Sequence, residues 1–156
     1  MSLVIFSTVS LIAVIYFAVK PKSLTPLELV MIVILVIYLD SNVMDIVMLN
    51  LKRIHLSENL AGQFAFYCTF ILLYPLMIAW NIDHISSIRH KLGKFIFVLL
   101  TILTITGFES LSKYVKVVTY VNWNWWLDLA QWLTIWLATY FIHKLFQKLV
   151  LKELKQ

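Results

Sequence analysis

The sequence has few charged residues, few glycines and a single cysteine. Charged side chains make up 13% of its 156 residues, against about 25% in ordinary soluble domains. Hydrophobic residues make up 62%, and so few charges could not cover the apolar surface of a water-soluble protein of this length. The composition therefore predicts a protein that is surrounded by lipid.

These absences also exclude several functions. The only cysteine, Cys68, lies in an apolar stretch and excludes an internal disulfide. Three glycines supply neither a phosphate-binding loop nor a GxxxG packing motif. The sequence shows no order of serine, histidine and acid typical of hydrolases, and Asp83, His84 and His90, expected in one loop, match no compact metal motif. We therefore expect no enzyme, no cofactor and no metal site.

Five long apolar runs are present, each near the length of about 20 residues that crosses a bilayer. They predict an all-α membrane protein, a bundle of five transmembrane helices with a short amphipathic C-terminal extension. The predicted helices are 2–19, 27–51, 64–80, 95–114 and 126–146, followed by a basic tail, 147–156, in a single integral membrane domain over 1–156. A retained first helix is favoured over a signal peptide, because the charges follow its apolar run. Thr25 and Pro26 predict the start of the second helix, and strands are not expected.

The ends of the runs carry residues typical of the lipid–water interface. Tyrosine and tryptophan rings favour that zone, because each is apolar with a polar tip. This pattern predicts an interfacial aromatic belt made of Tyr120, Trp123, Trp125 and Trp126. The lysines at the C-terminal end recur at near-helical spacing and are expected to contact anionic lipid headgroups: Lys144, Lys148, Lys152 and Lys155.

The 13 lysines and arginines divide unequally between the two faces that five spans would create. One face would carry nine of them and the other four, the latter being Lys52, Arg53, Lys113 and Lys116. Short loops rich in lysine and arginine favour the cytoplasmic side. The sequence therefore predicts the cytoplasmic membrane of a bacterium, with the N-terminus outside and the C-terminus inside. The basic residues form no single patch, so no nucleic-acid partner is expected.

Two carboxyl groups are predicted at similar depth in the membrane. Asp40 is the fourteenth residue counted from Leu27, and Glu109 is the fifteenth from Phe95. At about 1.5 Å per residue, each lies roughly 20 Å from the inner boundary of a core about 30 Å thick. Ionisable groups at this depth normally face partners or water inside the bundle. The candidate polar or ion site comprises Asp40, Asn42, Asp45, Glu109 and Asp128.

A purely structural interpretation stays open beside it. Glu109 precedes Lys113 by one helical turn and would form an ordinary ion pair with it. Asp40 and Asn42 would tie helices together by hydrogen bonds. The aromatic stripe Trp132, Trp136, Tyr140 and His143 predicts packing or lipid contact rather than a cofactor site.

The stretch 107–144 contains Glu109 at a helix end, Lys113, Tyr114 and Lys116, then Tyr120 and the Asn-Trp-Asn-Trp run before a last apolar helix. It resembles a family of small, uncharacterised five-span membrane proteins of endospore-forming Gram-positive bacteria such as bacilli and clostridia. Acidic residues late in the second span, as at Asp40 and Asp45, also fit that family. The resemblance implies membrane residence and an origin in a spore-former. The family has no established activity, so it implies no mechanism.

The leading functional hypothesis is a non-enzymatic membrane protein that acts as an interaction or accessory subunit. Its expected partners are the lipid bilayer and a second protein or further copies of itself. The alternative is a component of a channel or carrier for a cation or small solute, lined by the acidic residues of the outer half.

Overall fold

The structure, a computed structural model, describes the backbone of residues 2–153 and the side chains of residues 2–150. This part of the chain is mostly helical and contains five helices: α1 (Ser2–Val19), α2 (Pro26–Asn50), α3 (Leu60–Ser87), α4 (Lys91–Tyr114) and α5 (Trp125–Glu153). Helices α1 to α4 are each long and apolar enough to cross a membrane. The helical class expected from the composition is confirmed, as is the presence of several helices that could span a bilayer.

The start of α2 lies where Thr25 and Pro26 predict it. The Thr25 hydroxyl oxygen accepts a hydrogen bond from the Glu28 backbone N–H at 3.3 Å, and the Glu28 carboxylate accepts one from the Thr25 backbone N–H at 2.8 Å. This reciprocal capping box satisfies two backbone donors that a helix start leaves open. It also holds the Glu28 carboxylate at the first turn of the helix.

Helix α3 is longer than its apolar run and was predicted too short, as 64–80. It continues to Ser87, so Asp83 and His84 lie in its last turns rather than in a loop. Their segment is polar, but Asn81 and Asp83 are buried among partners from other elements, and this packing outweighs local polarity. A π-helical turn, Thr69–Leu73, interrupts α3 just before Pro75, whose ring removes one helical hydrogen bond. Helix α4 begins at Lys91, four residues earlier than predicted.

The expectation of no strands is wrong in two connectors. Strand β1 (Ile54–Leu56) follows α2, and strand β2 (Val118–Tyr120) follows α4; they pair antiparallel with His55 opposite Thr119. Such short segments carry no alternation that a sequence argument could detect. The pairing brings both connectors to the same end of the helices, which we call the sheet end. The opposite end, with connectors 20–25 and 88–90, is called the turn end.

The chain leaves α2 and α4 through similar turns before it enters the two strands. Lys52 and Lys116 follow the ends of α2 and α4 with left-handed φ values of 50° and 57°. The next residue in each case donates its backbone N–H back into the helix, Arg53 to the Val47 carbonyl at 2.9 Å and Val117 to the Ser112 carbonyl. At the end of α4 this is the pattern of a Schellman cap, whereas at the π-helical end of α2 the bond spans one residue more. The order helix, cap, strand, helix therefore occurs twice in the chain.

Helices α2, α3, α4 and α5 form a ring around the main core. Helix α2 packs against α3 and α5, α4 packs against the same two, and α1 lies on the outside of α3. The core is apolar and includes Ile32, Val36, Ile78, Ile105 and Trp132. Large apolar side chains are also exposed around the outside, among them Leu11, Ile34, Leu100 and Phe141. An apolar outer surface of this extent is typical of a protein that contacts lipid.

Substituting Gly62 by alanine should lower the thermal stability of the purified protein. A Cβ at Gly62 would lie 2.7 Å from the Ser57 Cβ, so Ser57 would have to move, and its backbone N–H donates to the Val117 carbonyl. Overpacking of this kind costs about 1–3 kcal/mol. The matched control is Gly107→Ala, where a Cβ meets no atom within 4 Å. Thermal unfolding in detergent should place Gly62→Ala below, and Gly107→Ala at or above, the unsubstituted protein; equal midpoints would contradict the packing described.

Candidate functional site

The buried face of α2 repeats every fourth residue: Glu28, Ile32, Val36, Asp40 and Met44. Helix α5 runs antiparallel along this face and bonds to it at two levels. The Gln131 amide donates to Asp40 Oδ1 at 2.9 Å, and His143 Nε2 lies 3.1 Å from Glu28 Oε1. Twelve residues separate the two levels on each helix, which is about 18 Å. The polar side chains between α2 and α5 therefore form one group near each end of the bundle.

Three carboxyl groups are buried near the sheet end, and we call them the acidic cluster. Asp40 on α2, Glu109 on α4 and Asp128 on α5 are 1%, 4% and 2% exposed. Asp40 Oδ1 accepts from Gln131, and Asp128 Oδ1 accepts from the Trp123 indole N–H. The cluster thus gathers three ionisable groups from three helices in an apolar core.

Each carboxyl of the acidic cluster keeps one oxygen without a partner. Asp40 Oδ2, Glu109 Oε2 and Asp128 Oδ2 are buried and accept no hydrogen bond from any residue that the structure describes. Buried polar atoms are normally paired, and exceptions call for an explanation. Deep in an apolar environment, a carboxyl group of this kind is typical of a proton or ion pathway.

Two cavities adjoin the acidic cluster. The inner one, of about 10 Å³, has room for about one water molecule and is lined by Met44, Ile54, Phe66, Tyr74, Glu109, Ser112, Val118 and Tyr120. The outer one, of about 520 Å³, is lined by Ser110, Lys113, Tyr120, Trp123, Asn124, Trp125 and Asp128. We call the outer cavity the vestibule. Tyr120 lines both cavities, so its side chain stands between Glu109 and the vestibule.

The Tyr120 phenol stays protonated at neutral pH. Burial raises its pKa above the ordinary value, and the nearby Glu109 and Asp128 carboxyls raise that pKa further. A protonated phenol has an O–H that it donates to an acceptor. The side chain between the two cavities is therefore a neutral hydrogen-bonding group, with the Lys113 Nζ 5.1 Å from its ring centroid.

An apolar layer separates the acidic cluster from the turn end. It consists of fully buried aliphatic side chains, one from each helix of the ring: Val36, Ile78, Ile102 and Ile135. Val36 lies between Glu28 and Asp40 on α2, and Ile135 lies between Gln131 and His143 on α5. In this conformation the acidic cluster faces the sheet end, and the layer closes it from the other end.

The carboxyl groups of the turn end are paired, in contrast to those of the acidic cluster. Asp83 Oδ1 accepts from the backbone N–H groups of Ser23 and Leu24 at 2.8 Å and 3.0 Å. Glu28 Oε1 accepts from the Gln147 amide at 2.7 Å. Glu28 and His143 form the only ion pair among the side chains of residues 2–150.

The amide of Asn81 ties three helices together below the apolar layer. Its oxygen accepts from the Trp136 indole N–H at 2.8 Å, and its nitrogen donates to the Thr101 hydroxyl oxygen at 2.7 Å. Sequence reasoning assigned no role to Asn81, Glu28 or Asp83. Only Glu28 had a local signal, its position three residues after Thr25 in a capping box.

The structure brings together three of the five residues of the candidate site and separates the other two. Asn42 and Asp45 are exposed, and the Asn42 amide donates to the Tyr38 carbonyl of its own helix. At about 100° per residue, both point well away from the direction of Asp40. The alternative ion pair of Glu109 with Lys113 does not form, because the Lys113 ammonium lies over the Tyr120 ring instead.

Two of the four residues of the predicted aromatic belt are exposed, and the other two are not. Trp125 and Trp126 are exposed and stacked, with ring centroids 3.7 Å apart, whereas Trp123 is buried and Tyr120 half-buried. In the predicted aromatic stripe on α5, three of the four residues are buried: Trp132, Trp136 and His143. Lys144 and Lys148 are exposed, as headgroup contact would require. The Lys152 side chain and all of Lys155 lie outside the described residues.

The described residues contain no group of three or more histidine, cysteine, aspartate or glutamate side chains placed to hold a metal ion. No protein-family model, no curated protein and no solved structure matches the chain. The functional argument therefore depends on the geometry of the acidic cluster and its two cavities.

Replacing Trp123 by phenylalanine should destabilise the sheet end, because Asp128 Oδ1 would lose the indole N–H that donates to it. A hydrogen bond to a carboxyl group contributes about 1–2 kcal/mol, which would lower the unfolding temperature by several degrees. Trp125→Phe is the control, because the Trp125 ring is about half exposed and makes no such bond. Equal thermal unfolding midpoints for the two variants would show that the indole N–H does not stabilise the carboxyl.

Proposed function

We propose that the chain is a five-span protein of the cytoplasmic membrane, with α5 as the fifth span. The packing of α5 supports this, because it lies against α2 from the Asp40–Gln131 bond to the Glu28–His143 pair. A bilayer that surrounds α2 would surround the adjoining part of α5 as well. At about 1.5 Å per residue, the 29 residues of α5 exceed a core about 30 Å thick. Its last turns would then extend beyond the membrane as a basic tail.

In this proposal the sheet end faces the outside. Four basic residues, Lys52, Arg53, Lys113 and Lys116, lie at that end and are exposed. The turn end carries Lys20, Lys22, Arg89, Lys91 and Lys94 and, beyond it, the tail. The excess of positive charge favours the cytoplasmic side for the turn end. The vestibule would then open outward, and the acidic cluster would lie in the outer half of the membrane.

We infer that the acidic cluster binds a small cation, the proton included, that enters from the outer face. The observation that carries this function is the convergence of three buried carboxyls, each with an unpartnered oxygen. Charged carboxylates buried in an apolar core lose hydration and repel one another, so uptake of a positive charge would stabilise them. Direct contact of Asp128 with the vestibule and of Glu109 with the inner cavity supplies a route past Tyr120. The protein would thus be a component of a cation or solute pathway.

An accessory role, the leading expectation from the sequence, is the second candidate. The apolar layer favours it, because a bundle closed below the acidic cluster cannot pass a cation onward in this conformation. A rearrangement or a partner would have to open the layer. Under this candidate the carboxyls tie helices together, as Gln131 and Asp40 do, and a stoichiometric partner should copurify from native membranes. A monomer that transports by itself would exclude the accessory role.

The proposed orientation predicts which ends can be labelled from outside. In a Cys68→Ser background, Glu58→Cys places a thiol at the sheet end and Ser87→Cys places one at the turn end; both positions are exposed. A membrane-impermeant maleimide should label the first in intact cells and the second only after permeabilisation. A reporter fused after Gln156 should remain in the cytoplasm. The reverse labelling pattern would overturn the orientation.

Removing either deep carboxyl should abolish cation uptake. Asp40→Asn and Glu109→Gln are expected to reduce sodium or proton uptake into proteoliposomes by about tenfold or more, since loss of a charged partner costs at least about 1.4 kcal/mol. Uptake would be followed with radioactive sodium and with a pH-sensitive dye inside the vesicles. The matched control is Asp45→Asn, which removes an exposed carboxyl from the same helix and should leave uptake unchanged.

Expression and thermal stability of each variant separate the two candidate functions. If Asp40→Asn and Glu109→Gln remain folded and lose uptake, the cation site is supported. If they lose folded protein while uptake per folded molecule is unchanged, the carboxyls are structural ties. Equal loss in Asp45→Asn would also contradict the proposed site, because that residue lies outside the acidic cluster.

A further inference from the structure

A second polar cavity, unconnected with the acidic cluster, lies at the turn end. Its volume is about 190 Å³, and it lies between the connector before α2, the last turns of α3, the first turn of α4 and the later part of α5. Its polar lining consists of Ser23, Ser86, Lys94, His143, Lys144 and Gln147. We call it the basic cavity.

The two lysines give this cavity a positive lining, since both nearby carboxylates lie outside its wall. Glu28 accepts from Thr25, from Gln147 and, with its Oε1, lies 3.1 Å from His143. The Asp83 Oδ1 atom accepts from Ser23 and Leu24. The two carboxylates thus lie directly behind the wall, bonded to residues that line the cavity.

Donors remain available to a ligand in the basic cavity. The Lys144 ammonium donates to Gln147 Oε1 at 3.1 Å, which uses one of its three hydrogens. His143 is 2% exposed, and its Nδ1 is buried with no hydrogen-bond partner among the described residues. The hydroxyl groups of Ser23 and Ser86 already donate to Asp83, so their hydrogens are not available to a ligand.

Helix α4 contributes one residue to the cavity, Lys94. The cavity thus combines two ammonium groups and a buried imidazole nitrogen.

We propose that the basic cavity binds a phosphate group. Phosphate takes charge-assisted hydrogen bonds from lysine. The group can come from the headgroup of an anionic glycerophospholipid or from free inorganic phosphate. The cavity is lined by α3, α4, α5 and the connector before α2 at the turn end, the level at which lipid phosphates lie in the proposed five-span arrangement. The proposal does not depend on the acidic cluster.

Neutralising the two lysines tests the site. The purified protein, freed of native lipid, would be given phosphatidylglycerol in detergent, and the bound fraction measured by native mass spectrometry. Lys94→Gln and Lys144→Gln should each weaken binding by about tenfold, because a hydrogen bond to a charged group contributes about 1.5 kcal/mol or more. The matched controls are Lys91→Gln on α4 and Lys148→Gln on α5, two exposed lysines that do not line the cavity.

Two further arms distinguish the source of the phosphate. Inorganic phosphate alone should raise the thermal stability of the unsubstituted protein if a free anion is enough, and this rise should vanish in Lys144→Glu. Stabilisation by phosphatidylglycerol without any effect of inorganic phosphate would assign the site to a lipid headgroup. Both results support a phosphate site.

Equal weakening by the control substitutions would overturn the proposal, because binding would then follow total charge rather than the cavity. Unchanged binding in Lys94→Gln and Lys144→Gln would overturn it as well. Lys144 is exposed, so Lys144→Glu should fold even if a change at Lys94 does not. Retained lipid binding in folded Lys144→Glu would therefore be decisive against the site.

Discussion

Every polar group inside this bundle must find its partner within the protein, because the surrounding surface is apolar. The backbone meets this constraint with helices along most of its length. Where two connectors leave the helices at the same end, they pair with each other as β1 and β2. The connectors gain backbone hydrogen bonds, and the α2 and α4 ends are held together. This pairing fixes the walls of both cavities near the acidic cluster, since Tyr120 and Val118 belong to β2.

The Asn81 amide and the carboxyl groups of the turn end obey the same constraint. Asn81 reaches Trp136 and Thr101, and Asp83 reaches Ser23 and Leu24. Only near the sheet end do three carboxyl groups meet with oxygens left over. A bundle built only for stability would be expected to pair these groups or replace them by apolar ones, since buried ionic groups are often replaceable without loss of stability. The difference between the two ends is therefore the strongest structural argument for a functional site.

The sequence predicted the burial of Asp40 and Glu109 and predicted the faces of the helices poorly. Their depth in the membrane, which follows from counting residues at a fixed rise, stays a prediction. Which side of α2 is buried depends on tertiary packing, because nearly every position of that helix is apolar and no polar face marks the outside. Asp40 shares its face with Ile32 and Val36, and nothing local separates that face from the one carrying Asp45.

Segments with polar composition were misjudged for a related reason. The end of α3 is polar, yet it is helical because its polar side chains are bonded to other helices. Those partners are distant in sequence, Thr101 and Trp136 for Asn81. The strand pair joins residues 54–56 to 118–120, a contact between connectors that local propensity cannot supply. Contacts between residues so far apart in the sequence can be recognised only once the fold is known.

The two polar levels are mechanically linked, because the same pair of helices carries both. Glu28 and Asp40 belong to α2, whereas His143 and Gln131 belong to α5. A rigid shift of α5 along α2 would therefore break the bond at Asp40 and the pair at Glu28 together. The apolar layer lies between these bonds, with Val36 on one helix and Ile135 on the other. Any movement that opened the layer would have to displace this interface, so opening would be opposed by both polar contacts. The acidic cluster and the turn end are thus separated in space but share the interactions that keep the bundle closed.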